Sequence, residues 1–175
     1  MPPWFIRPAQ LDDADGIAEL HAEAWQVAYE NLLTPEQLQM CTKETQPRVW
    51  KRLLEPPTKI QTYVARFNRQ TIGFIRFGVS SEHDRRELLG EIYVLYVHPG
   101  YWGQKVGASL ANLAFGLLHE HRVKKVFVWT LASNERGRRF YESLGMTTDG
   151  VPVERPLEHT MVQEVQYWLD LKKLS

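Results

Sequence analysis

The chain has 175 residues, enough for one core that buries roughly 70% of the surface the unfolded chain exposes, and small for two. Hydrophobic residues make up 43% and charged residues 24%, an ordinary globular balance, and 11 glycines and 10 prolines are too few for a low-complexity chain. Lysine plus arginine equals aspartate plus glutamate at 21 each, which speaks against a protein built to grip nucleic acid, and the lone Cys41 excludes an internal disulfide or a cysteine metal site. Met1-Pro2-Pro3-Trp4 lacks the basic and then apolar run of a signal peptide. The longest wholly apolar stretch, Ile92 to Val97, has a buried strand's length, so a soluble, reduced, cytoplasmic protein is expected.

Phe5-Ile6-Arg7-Pro8 reads as a short opening strand stopped by proline. Asp12-Asp13 then starts a helix, with acids favourable at its N-terminus and Ile17, Leu20, Ala24, Val27 and Ala28 at helical spacing. Thr34-Pro35-Glu36-Gln37 reads as a second start: threonine caps, proline takes the first helical position, and glutamine completes a capping box. Thr45-Gln46-Pro47 opens a third helix through Trp50, Leu53 and Leu54, ended by Pro56-Pro57. Thr62 to Phe67 and Thr71 to Val79 form a hairpin joined near Asn68-Arg69. Ser80 to Glu87 is a charged loop, and Leu88 to Val97 is a third strand of this stretch, stopped by Pro99. A helix follows from Gly103 to about His121, with Val106, Leu110, Leu113 and Leu117 on one face. Val126 to Thr130 is a strand, and Asn134 to Leu144 is a helix closed by Gly145. Val151 to Val153 and Met161 to Leu171 are the last two strands. The order describes a mixed α/β chain around one central sheet, with no linker, repeat or low-complexity tract.

Two segments carry chemistry. In Val97-His98-Pro99-Gly100-Tyr101-Trp102-Gly103-Gln104-Lys105-Val106-Gly107-Ala108 a strand ends, a glycine-bearing loop follows and an amphipathic helix begins. Glycines free the backbone amides, and the helix start adds unpaired N–H donors and roughly half a unit of positive charge, an arrangement suited to phosphate. The same pattern also serves as a turn that binds nothing. It is not a Walker loop, and the glycines at 100, 103 and 107 have the wrong intervals for the dinucleotide fingerprint. The second segment, Ser133-Asn134-Glu135-Arg136-Gly137-Arg138-Arg139-Phe140-Tyr141-Glu142-Ser143-Leu144-Gly145-Met146, follows a strand. Read plainly, it is a capped amphipathic helix with Phe140 and Leu144 in the core and Tyr141 at the edge.

Together, in this order and spacing, the two segments resemble the cofactor-binding core of the GNAT family, the GCN5-related N-acetyltransferases. The opening strand–helix–helix arm and the closing strands fit as well, and "HAEAWQVAYENLLTPEQL" is similar to the first helices of one subset of the family. The resemblance covers nearly the whole chain, as one domain over 1–175. It implies a single mixed, mostly antiparallel sheet splayed at its middle and flanked by helices, and transfer of an acetyl group from acetyl-CoA to a small-molecule or peptide amine. No metal, nucleic acid or membrane is implied, and a homodimer is left open.

The resemblance also implies site residues. The pantetheine arm lies between the strands at 88–97 and 126–130, pairing with backbone near Leu95, Tyr96 and Val97. The loop from Trp102, Gly103, Gln104 and Lys105 into Val106, Gly107 and Ala108 binds pyrophosphate. Asn134 touches the cofactor arm, and Tyr141 sits near the sulfur as general acid, where a phenol with an ordinary pKa of about 10 can protonate a leaving thiolate. Three positions depart from the family pattern: Trp102 replaces arginine or glutamine, Lys105 replaces glycine, and Trp129 replaces the glutamate carried by members that acetylate a ribosomal protein. With that base missing, Glu91 is the candidate to take the amine's proton. It shares a strand face with Tyr93, Leu95 and Val97, but Leu95 is about 13 Å along, so a water relay is expected.

Other readings compete. A CoA-binding sensor of the same fold without turnover is the alternative, and a phosphotransferase lacks the loop lysine and metal acids. His21, His83, His98, His119, His121 and His159 show no metal spacing. Arg122, Lys124, Lys125, Arg136, Arg138 and Arg139 read as a solvated face or as a contact for the adenosine 3′-phosphate. Trp25, Tyr29, Trp50 and Trp102 suit core packing or an acceptor wall.

Overall fold

The structure is a computed structural model that describes residues 3–56, 58–80 and 87–174. Most of the charged segment at 80–87, with His83, and Pro57 of the helix stop lie outside the described residues. The chain divides into two compact units, Met1–Phe77 with Val94–Ala114, and Gly78–Tyr93 with Phe115–Ser175.

In the first unit, β1 (Phe5–Pro8), β2 (Gln61–Phe67) and β3 (Gln70–Val79) pair antiparallel in succession. The β2–β3 turn places Asn68 at φ 53°, a left-handed conformation that asparagine tolerates. Strand β3 is buried on both faces from Thr71 to Gly78, which accounts for its largely apolar run. Helix α1 (Ala14–Tyr29) follows a 3-10 turn at Leu11–Asp13. Asp13 holds that turn to β1: Arg7 donates to both its oxygens at 2.7 and 2.8 Å, and the Gln10 amide donates at 2.8 Å. Burial pushes the Asp13 carboxyl up, but these hydrogen bonds outweigh it and hold the pKa below the ordinary value. Ile17, Leu20 and Ala24 face the core as expected, while Val27 is 48% exposed and lies off that face. The capping box forms at α2 (Pro35–Leu38): Thr34 Oγ1 accepts from the Gln37 amide, and Gln37 Oε1 accepts from the Thr34 amide. On α3 (Gln46–Leu54), Trp50 is fully buried against Phe74, with ring centroids 4.9 Å apart.

His21 of α1 lies among aromatic rings, with centroids at 4.8 Å from Tyr96, 5.7 Å from Phe74 and 5.8 Å from Trp50. Its Nδ1 accepts from Trp50 Nε1 at 3.1 Å, so the neutral ring carries its proton on Nε2. Burial pushes its pKa down to about 4, against a smaller upward pull from the Gln46 side chain. The unfolded chain binds this proton near pH 6.5 and the folded chain refuses it until about pH 4. Stability is therefore full above pH 6.5 and falls between pH 6.5 and 4 at up to about 1.4 kcal/mol per pH unit. Urea unfolding across that range should show this slope, and His21→Gln, which does not titrate, should flatten it.

In the second unit, β4 (Leu89–Val97) begins parallel to β5 (Lys125–Leu131), β7 (Thr160–Asp170) runs antiparallel to β5, and β6 (Val153–Leu157) antiparallel to β7. Strand β6 thus starts where the expected strand at 151–153 ends. Helix α4 is Val106–Glu120, beginning three residues after the expected Gly103. Its buried positions are Val106, Leu110, Ala111, Ala114, Phe115 and Leu118, with Leu113 and Leu117 half-buried beside them. Helix α5 is Glu135–Ser143, capped by Asn134 and followed by Gly145 at φ +80°. On it Tyr141 is buried, while Phe140 and Leu144 are half-buried, the reverse of the plain reading.

The strand order is β1-β2-β3-β4-β5-β7-β6, one mixed, mostly antiparallel sheet flanked by helices, and β3, β4 and α4 each carry residues of both units. The parallel β4–β5 ladder ends at Ile92 and Val128, although β4 continues to Val97 and β5 to Leu131. Among the described residues no helix is long and apolar enough to cross a membrane.

Candidate active site

Strand β4 ends in the first unit where the His98 amide donates to Ile72 O at 2.9 Å. Pro99–Tyr101 makes a 3-10 turn. His98 Nδ1 accepts from the Gly100 amide at 3.0 Å, and its Nε2 faces Glu23 Oε1 at 3.4 Å. Nδ1 of His98 is thereby spent on shaping the turn, while Nε2 looks toward α1. Trp102 Nε1 donates to Val97 O at 2.8 Å, tying the loop to the strand end. Gly103 lies at φ +75° and Lys105 at φ +63°. Lys105 therefore adopts a left-handed backbone conformation that glycine, the residue expected here from the resemblance, takes freely. The first helical turn at Val106, Gly107 and Ala108 has no carbonyls one turn back within the helix to receive its amides, so they remain available as donors.

A lysine held left-handed costs about 1–2 kcal/mol, and glycine gives back up to about 1 kcal/mol through its more disordered unfolded state. Lys105→Gly should therefore raise Tm by about 2 °C. If Lys105 also meets a cofactor phosphate, the same variant should bind acetyl-CoA more weakly at low ionic strength, and the difference should shrink in high salt. Thermal unfolding and titration at two salt concentrations check both effects.

Leu95, Tyr96 and Val97 are half-buried on the same strand end. The Tyr96 hydroxyl donates to the Tyr29 hydroxyl at 3.1 Å. Trp25 packs edge-on against Tyr29 at 4.8 Å, and its buried Nε1 has no partner among the described residues. Trp50 is core, as the packing reading had it, whereas Trp25 and Tyr29 are half-buried.

The remaining candidates lie in the second unit. Glu91 is half-buried on β4 and its Oε2 accepts from Ser80 Oγ at 3.1 Å. Asn134 Oδ1 accepts from the Gly137 amide at 3.0 Å, capping α5, while its Nδ2 has no acceptor among the described residues and can still donate. The Tyr141 ring packs between Phe140 and Tyr167, at 5.3 and 5.9 Å. Tyr167 donates to Glu142 Oε1 at 2.7 Å and accepts from Arg138 Nε at 3.2 Å, and burial pushes its phenol pKa up. Arg138 is thus turned inward, also donating to Ala132 O, and Arg139 pairs with Glu135 one turn away. Neither joins a free basic patch.

The structure thus groups Leu95 to Ala108 in one unit and Glu91, Asn134 and Tyr141 in the other. Three features are not apparent from the sequence. Gly73 on β3 lets α4 sit close, because a Cβ there would lie 3.0 Å from Val106 and 3.1 Å from Leu110. Gly137 makes room for the capping side chain, since its Cβ would meet Asn134 Nδ2 at 2.6 Å. Trp129 on β5 carries the Arg155 guanidinium on its ring face at 4.1 Å, and Arg155 Nε donates to Glu164 at 3.0 Å. The alternating polar residues Glu164 and Gln166 were the visible signal for this last group. No group of three or more metal-ligating side chains is placed to hold an ion among the described residues.

Residues 15–146 match the family model described as the acetyltransferase (GNAT) family. A probable N-acetyltransferase of Mycobacterium tuberculosis is 28% identical over 169 residues, covering 94% of this chain and 92% of that protein. Among solved structures, the PaiA N-acetyltransferase of Thermoplasma acidophilum in complex with coenzyme A superposes with TM-score 0.70 at 18% identity, covering 93% of this chain and 97% of the other. YncA of Salmonella typhimurium with its cofactor acetyl-CoA gives TM-score 0.67 at 18% identity, covering 96% and 94%. A strand, loop and helix built to offer amides, followed by a strand and an Asn-capped helix bearing Tyr141, matched by a family model across most of its length, makes this chain a member of the GNAT acetyltransferase family.

Proposed function

We propose that the chain transfers the acetyl group of acetyl-CoA to a primary amine of a small molecule or peptide by direct attack on the thioester. The observation that carries this reading is the loop into α4, where left-handed Gly103 and Lys105 lead into a helix start with unspent amides. In this reading the amides of Gly103 and of Lys105 to Ala108 hold the pyrophosphate, while the Gln104 amide donates to Tyr101 O at 3.3 Å and Trp102 braces the loop. Backbone at Leu95, Tyr96 and Val97 pairs with the pantetheine and fixes the thioester carbonyl, and a strand N–H steadies the oxyanion as it forms. Asn134 Nδ2 donates to the cofactor arm. The neutral amine forms the new C–N bond, the C–S bond breaks, and Tyr141 supplies a proton to the departing thiolate. Glu91, already a hydrogen-bond acceptor, takes the amine's proton through water.

Thiol release measured against a panel of amines, preceded by native mass spectrometry for co-purified CoA, tests the reading. Turnover with at least one amine is expected. Bound CoA with no turnover of any amine would favour a cofactor sensor. Glu91→Gln should lower kcat/KM and alter the acidic limb of its pH profile while leaving acetyl-CoA binding unaltered, and superimposable profiles would assign Glu91 to structure.

A further inference from the structure

The sheet of the second unit has two unlike faces. On β7, Val165, Tyr167 and Leu169 are buried, while Glu164, Gln166 and Trp168 alternate with them and are half-buried. Helix α5 lies on the first face: Arg138 bonds Tyr167, and a Cβ at Gly137 would touch Thr130 Oγ1 at 3.1 Å. Trp129 pairs with Gln166 and so belongs to the other face, together with Glu164 and, on β6, Arg155. The Arg155 guanidinium carbon sits 4.1 Å above the Trp129 ring centroid, and its Nε donates to Glu164 Oε2 at 3.0 Å. The two side chains are 28% and 22% exposed, so this is not a solvated surface pair. Burial pushes the Glu164 carboxyl up against the opposing pull of Arg155.

Stacking on the indole and the bond at Nε together fix the plane of the guanidinium. Its two terminal amino groups have no partner among the described residues, and the buried Trp129 Nε1 has none either. A group of held donors with no acceptor leaves part of its hydrogen-bonding capacity unmet. The open edge of a planar guanidinium matches the two oxygens of a carboxylate, which a lysine in its place could meet only as a point charge. Resting on the acetyl-transfer reading above, we propose that Trp129, Arg155 and Glu164 form an acceptor-recognition site in which Arg155 binds a carboxylate carried by the amine substrate. The preferred acceptor is then an amino-acid-like amine, not a polyamine or a simple alkylamine. Glu164 is the positioning residue, holding the guanidinium edge-on.

The test compares thiol release for the standard amino acids with release for their carboxamides, in the wild type, Arg155→Gln and Arg155→Lys, after acetyl-CoA stabilisation has been measured in each. Charge-assisted hydrogen bonds lost with the carboxylate correspond to about 10- to 100-fold. At least one acid should therefore exceed its amide by that factor in kcat/KM. Arg155→Gln should abolish the preference by lowering kcat/KM for the acid far more than for the amide, and Arg155→Lys should keep part of it, which also covers a Gln variant that folds poorly. Equal use of acid and amide, a preference that survives Arg155→Gln, or no turnover of any amino acid by a protein that binds acetyl-CoA overturns the recognition site alone. A wild-type protein that acetyl-CoA does not stabilise overturns the activity reading, and the site with it.

Discussion

Tyr141→Phe should lower the turnover number by about 100-fold, within the usual range for a lost acid–base step, while acetyl-CoA affinity stays nearly constant. The substitution is chosen to separate chemistry from packing. The Tyr141 ring is 8% exposed and rests against Phe140 and Tyr167, contacts that phenylalanine keeps. What it removes is the hydroxyl, the one proton source the reading assigns to the departing thiolate. Turnover should be followed from below pH 7 to above pH 9 with saturating acetyl-CoA. A wild-type profile with a basic limb that disappears in the variant supports the role. If turnover is untouched at every pH, the thiolate leaves unaided and Tyr141 is only a core residue of α5.

Gly107→Glu should abolish stabilisation by acetyl-CoA without weakening the protein itself. A ligand at 100 times its Kd adds about 2.7 kcal/mol, which for a chain of this size is a Tm shift of about 5–10 °C. Position 107 is the second residue of α4. Glutamate there gains about 1 kcal/mol of helix propensity over glycine and carries the charge sign favoured at a helix start. The unliganded Tm should therefore hold or rise. The same carboxylate would stand among the amides proposed for the pyrophosphate and repel it. A calorimetric scan with and without acetyl-CoA reads both effects, and an unchanged ligand shift would remove the loop from the cofactor site.

Features encoded by neighbouring residues were legible in the sequence. The Thr34–Gln37 capping box, the turn at Asn68 and the stop at Gly145 are set by three or four adjacent side chains, and each stands where expected. Features that depend on register were not. Leu113 and Leu117 have the same period as the true core face of α4, and only packing decides which stripe turns inward, with Val106 and Leu110 lying against Gly73 some thirty residues earlier. Tyr141 points in because Tyr167 of β7 meets it there, a partner no local pattern announces. Likewise Trp129 could be read as a missing base. That it carries Arg155 follows from the pairing of β5 with β7 and of β7 with β6.

Gly73 links the sheet to the loop through volume. Its absent side chain is the space into which Val106 and Leu110 settle, and Tyr96 O is only 3.4 Å from where a Cβ would stand. Enlarging residue 73 alone would press on the Val106 and Leu110 side chains at the helix start whose amides the loop presents. In evolutionary terms positions 73, 106 and 110 form one linked trait: alanine at 73 asks Val106 and Leu110 to give way together, and a laboratory exchange that pairs Gly73→Ala with Val106→Ala removes the tightest of those contacts in the same step.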